Sequence, residues 1–249
     1  MKLLLILPLF LLSLHASAQD VNSLVKEAIR LEDIPNETAA LNKLKEVLKI
    51  QPAHVFALSK SSELCSRIGS RQTSSTERDA WFKSALGYAN KAIAAAPQND
   101  VANVSMAMIL GKSTLTKSGK EKLKNARVIK KHLDIALKTN PSNYLAWHIL
   151  GRWNYEISNV SAVEKAGAKI FYGGVPHGTL GNAIMYFEKS KSLQPLFILN
   201  YVSLANAYHR DGQKDKAVAL LKTVQYLAAN TEDDMQHKAE ALKKIQEWK

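Results

Sequence analysis

Four prolines recur at intervals of 44 to 54 residues, and each follows the same arrangement of small or apolar residues. In every copy three such residues precede the proline at spacings of four and then three, so they lie on one face of a helix. Small side chains on that face let a neighbouring helix approach closely, and we expect each proline to begin the next helix, where a missing N–H costs little. Each set predicts the second helix of a helical hairpin. The sets are Ala40, Leu44 and Val47 before Pro52; Ala85, Ala89 and Ala92 before Pro97; Ile129, Leu133 and Ala136 before Pro141; Ala183, Phe187 and Ser190 before Pro195; and Ala217, Leu221 and Val224 as a fifth copy.

The first helices of the hairpins carry a matching pattern, in which a large aromatic residue is followed by Leu and then by Gly or Ala. This is the pattern of a tetratricopeptide repeat, whose small residue permits tight helix crossing. The clearest copies are Trp147-x2-Leu150-Gly151 and Tyr201-x2-Leu204-Ala205-x2-Tyr208. No stretch alternates apolar and polar residues persistently enough to predict a strand. The sequence therefore predicts an all-α fold, a right-handed tetratricopeptide-repeat-like solenoid of about five helical hairpins with a C-terminal capping helix.

The three middle units are longer than an ordinary repeat. About eleven residues are inserted around 67–77, ten around 112–122 and twenty around 158–180. Insertions between paired helices lengthen them or form loops on one face, which leaves the packing helices intact. We expect Trp153 and Phe171 to pack the third insert against its own hairpin. After the fifth unit, Thr231 is expected to cap a last helix whose first turn is acidic.

The N-terminus predicts export. Lys2, the apolar run 3–14 and the small residues 16–18 have the charge, core and cleavage site of a secretory signal peptide, and we expect cleavage after Ala18. The apolar run is shorter than the roughly 20 residues that cross a bilayer. A transmembrane helix is therefore not expected. A lipid anchor is not expected either, because no cysteine stands at the cleavage point; the one cysteine, Cys65, falls on the apolar face of a predicted helix. The predicted domains are a signal peptide at 1–18, the solenoid at 19–229 and the capping helix at 230–249, with a periplasmic or secreted location.

Several motifs together resemble a known family. The regulator of microtubule dynamics family shares the segment 150–156 (LGRWNYE), the later 171–176 (FYGGVP), the spacing of Ala183, Tyr186, Phe187 and Ser190, and the acidic opening of the last helix at 231–234. The resemblance implies a helical-repeat adaptor without catalytic activity. It also implies association with microtubules or organelle membranes in some members and phospholipid binding and transfer in one branch. By this resemblance the chain is similar to an exported, bacterial-type member of the family, and it departs from the other members in carrying an export signal.

The register predicts which residues of the first helices face the concave groove. That lining is apolar along its middle and includes three basic side chains, which would suit a protein partner such as an amphipathic acidic peptide, or a lipid-like ligand with an anionic end. The alternative is that the inner face is simply filled by side chains. The predicted ligand or partner residues are Val101, Val104, Met108, Lys112, Leu145, His148, Arg152, Tyr155, Leu199, Val202, Asn206 and Arg210.

The charge pattern and the motifs limit the classes of partner and ligand to expect. The formal net charge is +12, and residues 112–138 hold nine Lys or Arg against two acids, which could contact an anionic membrane surface or act only as a solvated helix face. No base-reading motif is present, so no nucleic-acid partner is expected. The histidines lack metal-ligand spacing, and no nucleophile, carboxylate pair or oxyanion motif accompanies them. We therefore predict a scaffold that binds a protein partner, without catalytic residues, metal or cofactor, and keep lipid binding in the groove as the alternative.

Overall fold

The computed structural model describes residues 7–114 and 119–248, with side chains from residue 20 onward except that of Tyr172. Within these ranges the chain forms helices and no strand. The helices are α1 (Leu7–Asp33), α2 (Glu37–Ile50), α3 (Val55–Ser70), α4 (Ser75–Ala95), α5 (Asp100–Ser113), α6 (Gly119–Thr139), α7 (Tyr144–Ser158), α8 (Ala162–Tyr172), α9 (Leu180–Leu193), α10 (Ile198–Arg210), α11 (Lys214–Val224) and α12 (Asp234–Glu247).

Five antiparallel helix pairs form the stack, which confirms the predicted tetratricopeptide-repeat-like solenoid. The pairs are α1–α2, α3–α4, α5–α6, α7–α9 and α10–α11, and each also packs on the next pair along the chain. The residues that predicted the second helices are all buried: Ala85, Ala89 and Ala92 are fully inaccessible, as are Ala217, Leu221 and Val224. Burial of this stripe of small and apolar side chains joins each second helix to its neighbours.

Close crossing inside a pair depends on glycine at two points of the stack. A Cβ atom built on Gly151 would lie 2.6 Å from Phe187 Cδ1, and one built on Gly69 would lie 2.8 Å from Trp81 Cβ. These distances are shorter than any van der Waals contact, so a larger residue would push α7 from α9 or α3 from α4. The Leu-Gly element of the predicted repeat pattern is therefore a packing requirement.

The prolines do not begin helices, contrary to the prediction from their spacing. Each lies three residues before the first helical residue, so that Pro52 precedes α3 and Pro97 precedes α5 within a turn. A proline restricts the residue before it to extended conformations. Ala96 accordingly has φ −149° and ψ 82° where α4 ends, and Gln194 has φ −138° and ψ 86° where α9 ends. The prolines thus terminate the second helix of each pair.

The third insert forms a helix of its own, α8, with signals at both ends. Ser161 and Glu164 form a capping box at its start, and Gly173 adopts φ 72° at its end. The return segment packs closely on α7, because a Cβ on Gly178 would lie 2.8 Å from Ile157 Cγ2 and 3.3 Å from the Trp153 ring. The packing role predicted for Trp153 is consistent with this contact. The same expectation for Phe171 is wrong, since its side chain is 74% exposed.

Of the predicted signal peptide, residues 1–6 lie outside the described residues, and residues 7–18 are described as the backbone of α1 without their side chains. Its cleavage stays a prediction. Among the described helices, none combines the length and apolar character needed to cross a membrane.

The glycine contact at Gly151 gives a testable prediction. Gly151→Ala should lower the free energy of unfolding by about 1–3 kcal/mol, because the added methyl group overlaps the Phe187 ring. Urea denaturation measures the change. Gly87→Ala is the matched control: Gly87 lies within α4 with nothing near its missing Cβ, so alanine should be neutral or stabilise by about 0.5–1 kcal/mol. Equal destabilisation by both substitutions would contradict the packing argument.

Candidate functional site

The C-terminal segment, residues 230–248, turns back along the concave face of the stack. At its start, Glu232 Oε1 accepts a hydrogen bond from the backbone N–H of Glu37 at 2.8 Å, across 195 residues of sequence. Asp233 Oδ1 accepts one from Arg71 Nη1 at 2.7 Å. These two contacts bring the last helix to the first two helical pairs.

The rest of α12 runs past α7 and α10. Glu240 lines an opening together with Arg152 of α7 and Asn206 of α10. At the end of the helix, the Trp248 ring stacks on His209 with centroids 4.0 Å apart. We call the inner surface of α3, α5, α7 and α10, together with α12, the concave site.

An ion-pair network fixes the start of α12. Arg71 Nη2 donates to Glu37 Oε2 at 2.7 Å and lies 3.0 Å from Glu232 Oε2, while Arg67 contacts the other Glu37 oxygen. The Glu37 side chain is inaccessible to solvent, and burial raises the pKa of its carboxyl against the influence of both arginines. The network continues along α1 and α3 through Arg67–Glu32 at 3.0 Å, Lys60–Glu32 at 3.1 Å and Lys60–Glu63 at 3.0 Å.

The structure places the predicted groove residues at three depths. Arg152 is exposed. The half-buried residues are Val101, Met108, Lys112, Leu145, Tyr155, Leu199, Asn206 and Arg210, and the buried residues are Val104, His148 and Val202.

His148 lies inside the packing between α7, α9 and α10 and is 2% exposed. Its Nδ1 is 3.0 Å from Asn200 Oδ1, and Asn200 Nδ2 donates to the Phe187 carbonyl at 2.9 Å. Because the Asn200 amide nitrogen is used in that bond, the His148 Nδ1–H is the donor to its oxygen. Burial lowers the pKa of His148 to about 3, so the ring is neutral at physiological pH. Its role is to join helices, and no ligand reaches it in this arrangement.

Arg210 is committed to the end of α7. Its Nη1 donates to the Tyr155 carbonyl at 3.1 Å, its Nη2 contacts Ser158 Oγ, and its guanidinium carbon lies 4.0 Å above the Tyr155 ring. The carbonyls at a helix C-terminus lack intrahelical partners and favour a cation. Arg210 therefore joins α10 to α7.

Lys112, at the end of α5, donates to Ser70 Oγ at 2.6 Å. Burial lowers its pKa to about 8, and the nearby positive charge of Arg152 adds to that decrease while Asp233 opposes it. Lys112 therefore lies near both a carboxylate of the C-terminal segment and several basic side chains.

The open part of the concave site is a cavity of about 200 Å³ beside α12. Five of the predicted residues line it, and the other lining residues are mainly polar or charged. Arg152 and Glu156 present opposite charges one helical turn apart on α7, beside the amide of Asn206. The lining is Arg152, Tyr155, Glu156, Phe187, Leu199, Val202, Ser203, Asn206 and Glu240. This part of the concave site is therefore small and largely polar.

Sequence reasoning missed Glu37, Arg71 and Glu240 as members of the site. It placed Thr231 as the cap of the last helix, but α12 begins at Asp234, whose carboxylate accepts hydrogen bonds from the backbone N–H groups of Asn230 and Thr231 at 2.9 and 2.8 Å. The acidic residues before it contact α2 and α3. The cluster of acids at 232–234 was the available signal, and it was assigned to helix capping.

Metal chemistry finds no support in the parts of the chain that the structure covers, where no group of three or more His, Cys, Asp or Glu is placed to hold an ion. Cys65 is 1% exposed, and burial raises the pKa of its thiol to about 11. It is a core residue, as expected.

The network predicts a specific effect at Arg71. Arg71→Met should lower the free energy of unfolding by about 1–3 kcal/mol, because Glu37 and Asp233 each lose a charged partner in a largely desolvated place. Hydrogen exchange followed by mass spectrometry should show that the substitution increases the exchange rate of α12, relative to the unmodified protein, more than that of α11. Arg30→Met is the control, since Arg30 pairs with Glu27 at 2.7 Å on an exposed surface, where loss should cost less than about 1 kcal/mol. Unchanged protection of α12 in Arg71→Met would contradict the anchoring role.

His148 predicts a pH dependence. Its folded pKa of about 3 lies below its unfolded pKa of about 6.5, so the unfolded state takes up a proton first as the pH falls. Stability should therefore be full above pH ~6.5 and decrease below it, by at most about 1.4 kcal/mol per pH unit from this group. His148→Gln should flatten the decrease between pH ~7 and ~5 in urea-unfolding measurements. His177→Gln, at an exposed position, should leave it unchanged, and a wild-type slope in His148→Gln would show that the prediction is wrong.

Comparison with known proteins supports the fold and shows the family. In solved structures the chain is similar to a thermophilic TPR protein from Thermus thermophilus, with a TM-score of 0.63, 16% identity and coverage of 89% of this chain and 98% of that one. It is also similar to PilF of Pseudomonas aeruginosa, with a TM-score of 0.55, 13% identity and coverage of 94% and 88%. At these identities the likeness concerns the fold alone.

Among curated proteins the chain is similar to mouse regulator of microtubule dynamics protein 1, with 28% identity over 236 residues, which are 91% of this chain and 74% of the relative. It is also 28% identical to mouse regulator of microtubule dynamics protein 2 over 178 residues, spanning 43% of that protein's length. The family model described as regulator of microtubule dynamics protein 1-3 matches residues 24–249. The chain therefore belongs to the regulator of microtubule dynamics family.

Proposed function

We propose that this protein is a non-enzymatic scaffold, exported to the periplasm or out of the cell, that binds a protein partner through the open part of the concave site. Folds of this type are in general non-catalytic scaffolds and suggest protein interaction. The observation that carries the proposal is that two opposite charges, Arg152 and Glu156, line a shallow cavity together with neutral polar groups such as the Asn206 amide. Export is supported by the sequence of residues 1–18.

The charges at the cavity favour a peptide over a lipid. Arg152 projects into it as an exposed cation, and Glu156 lies beside it as an exposed carboxylate. Both can form charge-assisted hydrogen bonds, which orient a peptide more than they attract an acyl chain. Tyr155 and Leu199 add an apolar floor on which a partner side chain can pack. A segment that carries an acid for Arg152 next to an apolar residue fits best.

The alternative is a lipid-like or other apolar ligand with an anionic end in the same groove. The apolar residues Leu199, Val202 and Phe187 favour it. The cavity of about 200 Å³ is, however, smaller than the roughly 300–1,000 Å³ typical of small-molecule pockets. An acyl chain would need α12 to move away from the concave face.

Arg152 provides the test. Peptides selected from a displayed library on the immobilised protein should be enriched in acids, and Arg152→Glu should weaken their binding by about tenfold or more, because one charge-assisted pair becomes a repulsion. Fluorescence anisotropy with the selected peptide measures the dissociation constant. Lys138→Glu makes the same charge change at an exposed position near the end of α6 and should have little effect.

Two outcomes would contradict the proposal. One is equal weakening by both substitutions, which would indicate attraction by net charge alone. The other is recovery of a stoichiometric lipid by mass spectrometry from organic extracts of the purified protein, with no selected peptide that depends on Arg152. That result would support the alternative ligand.

A further inference from the structure

Helix α8 exposes large apolar side chains on one face. Val163 is 83% exposed, Ile170 76% and Phe171 74%. Positions seven and eight residues apart fall on the same side of a helix, so these three side chains form one apolar face. Ala168 is the one buried side chain among those described in this helix. The apolar face therefore points away from the stack.

Local hydrogen bonds, more than packing, hold α8 in this position. The Ser161 backbone N–H donates to Glu164 Oε2 at 2.9 Å, and the Glu164 N–H donates to Ser161 Oγ at 3.2 Å. At the other end, the backbone N–H of Gly174 donates to the Ala168 carbonyl at 2.9 Å. Because both ends are capped, the helix presents its apolar face as a formed element.

Basic side chains lie on the other sides of α8 and on the neighbouring helix α6. Lys165 and Lys169 lie on α8 itself, and residues 119–127 of α6 lie near it, since Arg127 Nη2 donates to the Gly174 carbonyl at 2.7 Å. A hydrogen bond from the Ser161 backbone chiefly lowers the pKa of Glu164, and the charge of Lys122 contributes to the same decrease, which places α6 near the start of α8. Residues 119–127 and 161–173 together hold six basic side chains against two carboxylates, Glu121 and Glu164.

A cavity of about 330 Å³ lies behind the same helix. Lys165, Lys169 and His177 line it, with the backbone of the glycine-proline segment 174–178 and Ile157 on its other sides. Two ammonium groups at one cavity suit an anionic group such as a phosphate. The cavity lies on the stack side of α8 and the apolar face on the side turned away from it. We call α8, with both of these features and residues 119–127 of α6, the insert surface.

We propose that the insert surface docks the protein onto an anionic phospholipid bilayer, with Val163, Ile170 and Phe171 entering the boundary between headgroups and acyl chains, while the long side chains of Lys165, Lys169 and the lysines at the start of α6 extend to lipid phosphates. A short basic helix with an apolar face is typical of interfacial membrane helices. Protein interfaces, in contrast, are depleted in lysine at their centre. The proposal is independent of partner binding at the concave site. It also narrows the membrane contact predicted for residues 112–138 to the start of α6 and adds α8.

Vesicle sedimentation tests the proposal. The protein should bind vesicles of equal parts phosphatidylglycerol and phosphatidylcholine and bind pure phosphatidylcholine much more weakly. Binding should decrease when salt is raised from about 0.1 M to about 1 M, because the screening length falls from about 10 Å to about 3 Å.

Two sets of variants separate the apolar and basic contributions. The triple variant Val163→Ser, Ile170→Ser, Phe171→Ser should lower the partition coefficient about tenfold or more. Lys165→Glu with Lys169→Glu should also lower it and should reduce its salt dependence. The matched control replaces three exposed apolar residues elsewhere, Ile34, Met185 and Tyr226, by serine and should bind as the unmodified protein does. Circular dichroism verifies that all variants are folded.

Three results would overturn the proposal. The first is no binding to the anionic vesicles, and the second is equal binding by the α8 triple variant. The third is a concentration-dependent dimer, seen by light scattering, that the α8 triple variant abolishes while vesicle binding is absent. That last result would assign the insert surface to contact between copies of the chain.

Discussion

The contact of Arg71 with Glu37 and Asp233 joins the two ends of a stack in which most other contacts are between neighbours. A helical solenoid gains its stability repeat by repeat, and nothing in that arrangement requires the last helix to meet the first pairs. Here the Arg71 guanidinium bridges a buried carboxylate of α2 and an acid that precedes α12. This bridge holds the start of α12 against the first two helical pairs. Without it, the start of α12 would keep the Glu232 contact with the Glu37 backbone N–H, and the rest of the helix would be held by α10 and α11.

The bridge changes what the inner face of the solenoid offers to a partner. Lys112 and Arg152, which the register of the first helices placed in an open groove, lie close to the acidic start of α12 and its carboxylates. His148 and Arg210 are used to join helices. What stays accessible is a small cavity around Arg152, Glu156 and Asn206. The accessible surface at this face is therefore small and largely polar, and α12 occupies the space that a larger apolar ligand would need.

The helical hairpins could be predicted from the sequence because they depend on residues close together in it. Spacings of four and three identify the buried face of a helix, and the sets around Ala89 and Leu221 are buried as expected. The fourfold recurrence of proline located the turns, although its effect is to end a helix, as at Ala96, and not to begin the next. Helix α8 was not predicted, because its pattern is short and lies within an insert.

The contacts that define the candidate site have no such local pattern. Arg71 and Asp233 are 162 residues apart, and no periodicity relates them. Helical register shows which way His148 points, but not that Asn200 and Phe187 cover it. The third insert gives another example, because Phe171 was predicted to pack against its own hairpin and is exposed. Each of these outcomes depends on which helices meet in three dimensions.

The distance between the turn after α3 and the start of α12 tests the central claim most directly. Spin labels on cysteines at Thr73→Cys and Gln236→Cys, both exposed positions, can be measured by double electron–electron resonance, and the buried Cys65 should stay unlabelled. Because residues 71 and 233 are in contact and only a few residues separate each label from them, the account predicts one narrow distribution below about 30 Å. A broad distribution extending well beyond that distance would show that α12 does not lie across the concave face, and would contradict the account.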